Sequence, residues 1–255
     1  VRARISTVGL PVIAGVGVIG LWWLAVVAFG IKPFLLPDPP AVVRSFTRVP
    51  GYLLHQSWAT LSATLLGYGL AVLVGLITAV LLTASRPLEQ AFLPLLVAAN
   101  AVPKVAVAPL LVLWLGFDAT PKILMAGLIS VFPIVVAAMA GLTSAPVELT
   151  DLARSLSASR WQTYRKLRFP WALPQIFIGL KLGVTLAVVG AVVSEIGGGD
   201  AGLGYVIFAS GASADTALAF AAMTLLSVMS VVLFYLVVAL ERLLLPWAAT
   251  TATTS

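Results

Sequence analysis

The stretch Ile5–Ile31 runs for 27 residues without a charged side chain. A helix on the surface of a soluble domain must turn a polar face to water, and this run has none to turn. It exceeds the roughly 20 apolar residues that a bilayer-crossing helix needs. Five more apolar runs follow, at about 58–85, 92–117, 123–142, 172–196 and 216–240. Hydrophobic residues make up 61% of the 255 and charged ones 9%. Ordinary soluble domains have roughly 45–50% and 25%, so a soluble enzyme is excluded. Disorder is excluded as well, since it needs low hydrophobicity and high charge. The expected fold is all-α and integral to the membrane, with about six transmembrane helices. The first run is too long for the 7–15-residue apolar core of a signal peptide, so an uncleaved helix is expected there.

The organisation follows from the breaks between runs. Residues 1–57 comprise the first helix and a Pro-rich external segment with Pro33, Pro37, Pro39, Pro40 and Pro50. Within it, Arg44 and Arg48 fall on a short helix expected from Ala41. A core spans 58–245 and a tail 246–255. The third run holds Pro94, Pro103, Lys104 and Pro109, which predicts a broken helix. Non-helical backbone at membrane depth survives only where protein buries it or where it lines a cavity. Gly197–Gly204 is Gly-rich and predicts a turn or re-entrant gate segment.

The formal charge of +6 fits Lys/Arg gathered on the cytoplasmic side better than nucleic-acid binding. With six spans and the N-terminus inside, nine basic residues fall inside: Arg2, Arg4, Arg86, Arg154, Arg160, Arg165, Lys166, Arg168 and Arg242. Four fall outside: Lys32, Arg44, Arg48 and Lys122, the last in a polar turn. This asymmetry predicts a cytoplasmic N-terminus.

Several chemistries are excluded. The chain has no Cys and one His, His55, so disulfides, Cys-ligated metals and two-His metal sites are ruled out. No Gly-Lys pair occurs, so there is no P-loop for a nucleotide. No clustered catalytic constellation is visible, which disfavours an integral-membrane enzyme. Ion-coupled carriers place several polar or acidic groups near the midplane, whereas Glu195 is the one acidic residue read here in or at a span. A carrier or a passive channel is the alternative to the reading below.

Intramembrane charges are functional candidates by default. Lys104 and Glu195 are candidates for a gate pair, with Lys104 alternatively meeting an anionic substrate, both serving as a buried structural pair, or Lys104 snorkelling. Asn100 and Pro103 are candidates for the same path. Lys181 is expected near the cytoplasmic end of its span, snorkelling to the headgroups in a structural role. Trp22, Trp23 and Trp114 are expected as interfacial anchors. Gly67, Gly69, Ala71 and Gly75 suit close helix packing.

Residues 144–170 form the densely charged loop, with five of the 15 basic residues. Leu149, Leu152, Ala153 and Leu156 lie at i, i+3, i+4 and i+7, one helical stripe. Pro146 starts that helix, and Ser159 is placed to cap a second one carrying Trp161 and Tyr164. Pro170 and Pro174 mark where the next span begins. By periodicity alone the loop reads equally as an amphipathic segment lying on anionic lipid.

The loop also resembles the E-A-A-x3-G-x9-I-x-L-P pattern of permease subunits of ATP-binding-cassette importers. Asp151-Leu152-Ala153 stands for E-A-A, Ser157 for G, and Leu167-Arg168-Phe169-Pro170 for I-x-L-P, with the spacing kept and five positions substituted. Leu36-Pro37-x-Pro39, the segment from Asn100 through Pro103-Lys104 to Trp114 and Gly116, and Glu195 with Gly202-Leu203-Gly204 resemble the branch that imports sulfonates, taurine, nitrate, bicarbonate and pyrimidine or vitamin precursors. The resemblance implies a type I importer fold in a bacterial cytoplasmic membrane. It implies that the loop docks on a separate ATPase through Asp151, Leu152, Ala153, Arg154, Ser157 and Ala158, with Leu167 and Pro170 fixing its shape. It further implies that ATP and Mg are bound by two copies of that ATPase and not by this chain. A second permease copy, an extracytoplasmic substrate-binding protein and a small organic anion or heterocycle as cargo complete the expectation.

Overall fold

A computed structural model of the protein describes residues 2–246. The tail expected over 246–255 lies, apart from Pro246, outside them. Among the described residues there is no strand. All six apolar runs are helical.

The first helix, α1 (Arg2–Ala28), leads through a Pro-rich turn to α2 (Pro39–Arg48). The Asp38 carboxylate caps α2 by accepting from Ala41 N–H at 2.8 Å. Prolines open the helix, where a missing N–H costs nothing. The next helix, α3 (Pro50–Ala84), begins eight residues before the expected Trp58, because Pro50 likewise serves as a first helical residue. The third run is broken as expected: α4 (Arg86–Ala101) and α5 (Lys104–Leu115) meet at a bend of 85°. Pro103 disfavours helical backbone at the residue before it, and Val102 is extended.

The fourth run is α6 (Ala119–Thr143), started by an Asp118 cap on Thr120 N–H at 2.9 Å. It continues through Pro133. After α7 (Val147–Ser155) and the short α8 (Arg160–Thr163), a π-helical turn over Tyr164–Arg168 runs directly into α9 (Phe169–Ile196). Pro170 therefore does not interrupt the helix. Pro removes an i→i−4 hydrogen bond and its ring crowds the carbonyl four residues back. The wider turn, with Phe169 N–H donating to Tyr164 C=O, accommodates it. The chain closes with α10 (Leu203–Ala212) and α11 (Thr216–Leu244).

Four helices are long and apolar enough to cross a membrane: α3, α6, α8–α9 as one rod, and α11. The bent α4–α5 pair makes a fifth if counted as one span, and α1 adds a further apolar helix over Ile13–Ala28. The core is a three-helix seam. Ala79 and Leu82 of α3, Val135, Ala138 and Leu142 of α6, and Ala172 and Ile176 of α9 are buried together. Ala126 of α6 is the closest crossing point, with Gly67 of α3 on one side and Gly190 of α9 on the other. Gly75 and Ala71 also face the interior, but Gly69 faces open space, so the expected packing stripe is one residue narrower.

A second cluster joins α2, α3, α10 and α11 through Val42, Leu53, Leu203, Val206, Ala221 and Ala222. Arg48 of α2 pairs with Asp215 at the start of α11. Trp22 packs on Phe220 of α11 with ring centroids 5.6 Å apart.

Candidate functional site

Two regions gather the polar chemistry of this apolar chain. The first lies where α9 ends. Glu195 is 1% exposed, and a bare buried carboxylate is costly unless its oxygens are hydrogen-bonded. Here both are. Thr60 Oγ1 of α3 donates to Oε1 at 2.7 Å, and Gly204 N–H of α10 donates to Oε2 at 2.7 Å. Thr60 Oγ1 in turn accepts from Leu203 N–H at 2.8 Å, and Gln56 Oε1 accepts from Gly202 N–H at 2.6 Å. Three consecutive orphan N–H groups at the α10 start are thus satisfied by side chains from α3 and α9.

Two glycines make the approach possible. Gly202 has φ +114°, and a Cβ there would lie inside the Glu195 carboxylate. A Cβ on Gly204 would come within 2.9 Å of Glu195 Oε2. The Gly-rich stretch is therefore a turn folded onto its own glutamate.

Lys122, expected in a polar turn on the outer side, is 4% exposed. Its ammonium donates to Asp200 Oδ1 at 3.1 Å and to Ala201 C=O at 2.9 Å. It pins the Gly197–Gly202 turn to the start of α6. A Lys at a helix start gains nothing from the helix dipole; its long stem lets it reach the turn instead.

Glu195 and Lys104 are not paired with each other. Lys104, at the start of α5, donates to Asn100 Oδ1 across the bend, and Glu195 is satisfied by α3 and α10. The 85° bend turns α5 away from the line of α4 and invalidates a position counted along one rod. Asn100, Pro103 and Lys104 do stand together, at the break. Lys181 reaches Glu241 of α11 at 2.9 Å in place of the headgroups.

Thr60, Gln56 and Lys122 are the partners that sequence reasoning missed. Gln56 and Thr60 did carry a signal: two hydrogen-bonding side chains at i and i+4, hence on one face of a helix long and apolar enough to cross a membrane.

The second region is the charged loop. Thr150 is buried against the bundle, while Leu152 and Leu156 are 56% and 73% exposed. Ala153 is half-buried. Asp151 and Arg154 form an exposed pair at 3.1 Å. Ser159 caps the next helix as expected: its Oγ accepts from Gln162 N–H at 3.2 Å and its N–H donates to Gln162 Oε1 at 2.8 Å, a capping box. Leu167 and Pro170 lie half-buried in the π turn and the first turn of α9.

The end of α7 explains the glycine of the loop pattern. Ser157 has φ +55°. Ser157 N–H donates to Arg154 C=O at 2.9 Å and Ala158 N–H to Ala153 C=O at 3.0 Å. Those two bonds define a Schellman motif, whose left-handed residue is normally Gly. Ser157→Gly is expected to stabilise the loop by about 1 kcal/mol, read as a raised midpoint in thermal melts of the purified protein in detergent.

Residues 71–249 match the family described as binding-protein-dependent transport system inner membrane component. The riboflavin transport system permease protein RibX of Chloroflexus aurantiacus is 40% identical over 97% of this chain and 93% of its own length. The formylaminopyrimidine transport permease protein ThiX of Halalkalibacterium halodurans is 32% identical over 89% of this chain and 91% of its own. Among solved structures, the inward-facing MetNI methionine ABC transporter superimposes with a TM-score of 0.68 at 18% identity, covering 76% of this chain and 97% of that one. With that fold, that family match and those relatives, the chain belongs to the binding-protein-dependent inner membrane components and is a multi-pass permease subunit of an ABC importer.

Proposed function

We propose that this subunit forms half of a translocation pathway whose opening is driven by a separate ATPase docked on α7. The carrying observation is the exposed apolar stripe of α7, Leu152 and Leu156, flanked by the Asp151–Arg154 pair and held stiff by a cap at its C-terminal end. A short, rigid amphipathic helix suits a groove on a partner. Asp151, Leu152, Ala153, Arg154, Ser157 and Ala158 make the contact, and Leu167 and Pro170 transmit its movement because the π turn leads unbroken into α9. ATP and Mg are bound by two copies of the ATPase.

Two permease copies line one pathway, with Asn100, Pro103, Lys104 and the Glu195 turn as its gate residues. A substrate-binding protein delivers cargo on the outer side. The N-terminus and α7 face the cytoplasm of a bacterial cell, as the Lys/Arg asymmetry supports. The cargo is a small heterocycle, the class that the riboflavin and formylaminopyrimidine relatives support.

Leu152→Asp with Leu156→Asp tests the docking. Both positions are exposed, so the bundle should fold unchanged while the ATPase is lost on co-purification. A double variant that still co-purifies with a full complement of ATPase refutes the proposal.

A further inference from the structure

A cleft of about 700 Å³ opens where α7, α8 and the π turn meet the ends of α3 and α4. Arg86, Arg154 and Arg168 line it together, and no acidic residue does. Arg154 is balanced by Asp151, on the loop surface. Arg86 and Arg168 make no ion pair among the described residues. Glu89, one turn along α4, lines a neighbouring cleft with Arg86 and not this one. The half-buried Tyr164 ring and Thr83 also line the wall. Trp161 is 68% exposed and contributes an aromatic edge.

Two arginines without ion-pair partners among the described residues, Arg86 and Arg168, on the wall of a cleft that no acidic residue lines describe an anion receptor. Guanidinium forks match phosphate oxygens bidentately. Basic pockets between membrane helices hold phospholipid headgroups, and the apolar walls from Val80 and Ala84 suit a headgroup with its glycerol attached.

We infer that this cleft binds a phosphate-bearing anion, a membrane phospholipid headgroup or free phosphate, bridging the α7 loop to the ends of α3 and α4. Arg86 and Arg168 carry the recognition; the cleft shares Arg154 and Ala158 with the proposed ATPase contact, so binding is read on the permease chain alone.

Native mass spectrometry of the full chain in detergent tests this, with phosphatidylglycerol, phosphatidylcholine and inorganic phosphate as separate probes. Phosphatidylglycerol should be retained over phosphatidylcholine. Arg86→Gln with Arg168→Gln should weaken that retention about tenfold or more, while Arg242→Gln, a basic residue in the last turn of α11 outside the cleft, should not. Arg86 is exposed at the start of α4, so Arg86→Gln alone keeps the test open if the double variant fails to fold. Binding of inorganic phosphate that competes phosphatidylglycerol away, and that is lost in the same variants, assigns the site to free phosphate. Equal retention by the native chain and the Arg86 and Arg168 variants, for every probe, overturns the inference.

Discussion

Glu195→Ala should release α10 from the bundle and destabilise the protein by about 3 kcal/mol or more. The variant leaves the buried Gly204 N–H without an acceptor and moves the Thr60 proton from the carboxylate at 2.7 Å to the poorer Gln56 C=O at 3.4 Å. Each buried polar group left unsatisfied costs about 1–3 kcal/mol, and the missing carboxyl adds a void. Glu195→Gln separates geometry from charge. Its amide oxygen accepts from Gly204 N–H, and its NH2 donates to Thr60 Oγ1. The Thr60 proton then turns to Gln56 C=O, already 3.4 Å away. Every partner is kept, so the Gln variant should lose only about 1 kcal/mol and transport within a few-fold of the native level. Thermal unfolding in detergent and transport in reconstituted vesicles check both variants. A Gln variant as unstable as the Ala variant would mean that the negative charge opposite Lys122, and not the hydrogen-bond geometry, holds the turn.

The features legible in the sequence were those carried by local chemistry. A charge-free run has one way to satisfy its backbone in lipid, so the helices were fixed by composition. The break at Pro103 and the cap at Ser159 follow from residues within four positions of each other, and both are legible. The Asp38 cap is equally local but was not among the expectations. The pairing of Glu195 was not legible, because its partners lie 135 residues back on α3 and nine residues ahead beyond a turn. Intramembrane charges invite pairing with the nearest opposite charge. Hydroxyl and backbone donors satisfied Glu195 instead, and nothing in a linear pattern ranks those donors. The substitution at Ser157 illustrates a middle case. The spacing located the position, but only the backbone showed that the pattern's glycine answers a left-handed turn at the helix end.

The glycines of the apolar spans pose the same problem in its sharpest form, since sequence alone makes them equivalent. Gly190→Leu should be among the most damaging single changes in the chain. A Cβ at Gly190 would lie 2.7 Å from Ala126 Cα and 2.9 Å from Ala126 N. Backbone atoms cannot rotate aside as a flexible side chain can, so α9 and α6 must separate. Ala126 has no slack in the other direction, because Gly67 of α3 closes on its Cβ from the opposite side. Separation therefore loosens all three helices of the seam, and a cost of about 3 kcal/mol or more is expected from overpacking. Gly69→Leu is the matched control. Nothing lies within 4 Å of a Cβ there, and exchanging Gly for Leu in a helix interior gains up to about 1 kcal/mol of propensity. Size-exclusion profiles and thermal midpoints in one detergent should place Gly69→Leu at or above the native protein and Gly190→Leu well below it. Two variants of equal stability would show that the α6–α9 crossing yields, and with it the rigid seam through which movement at α7 would have to pass to reach the Glu195 turn.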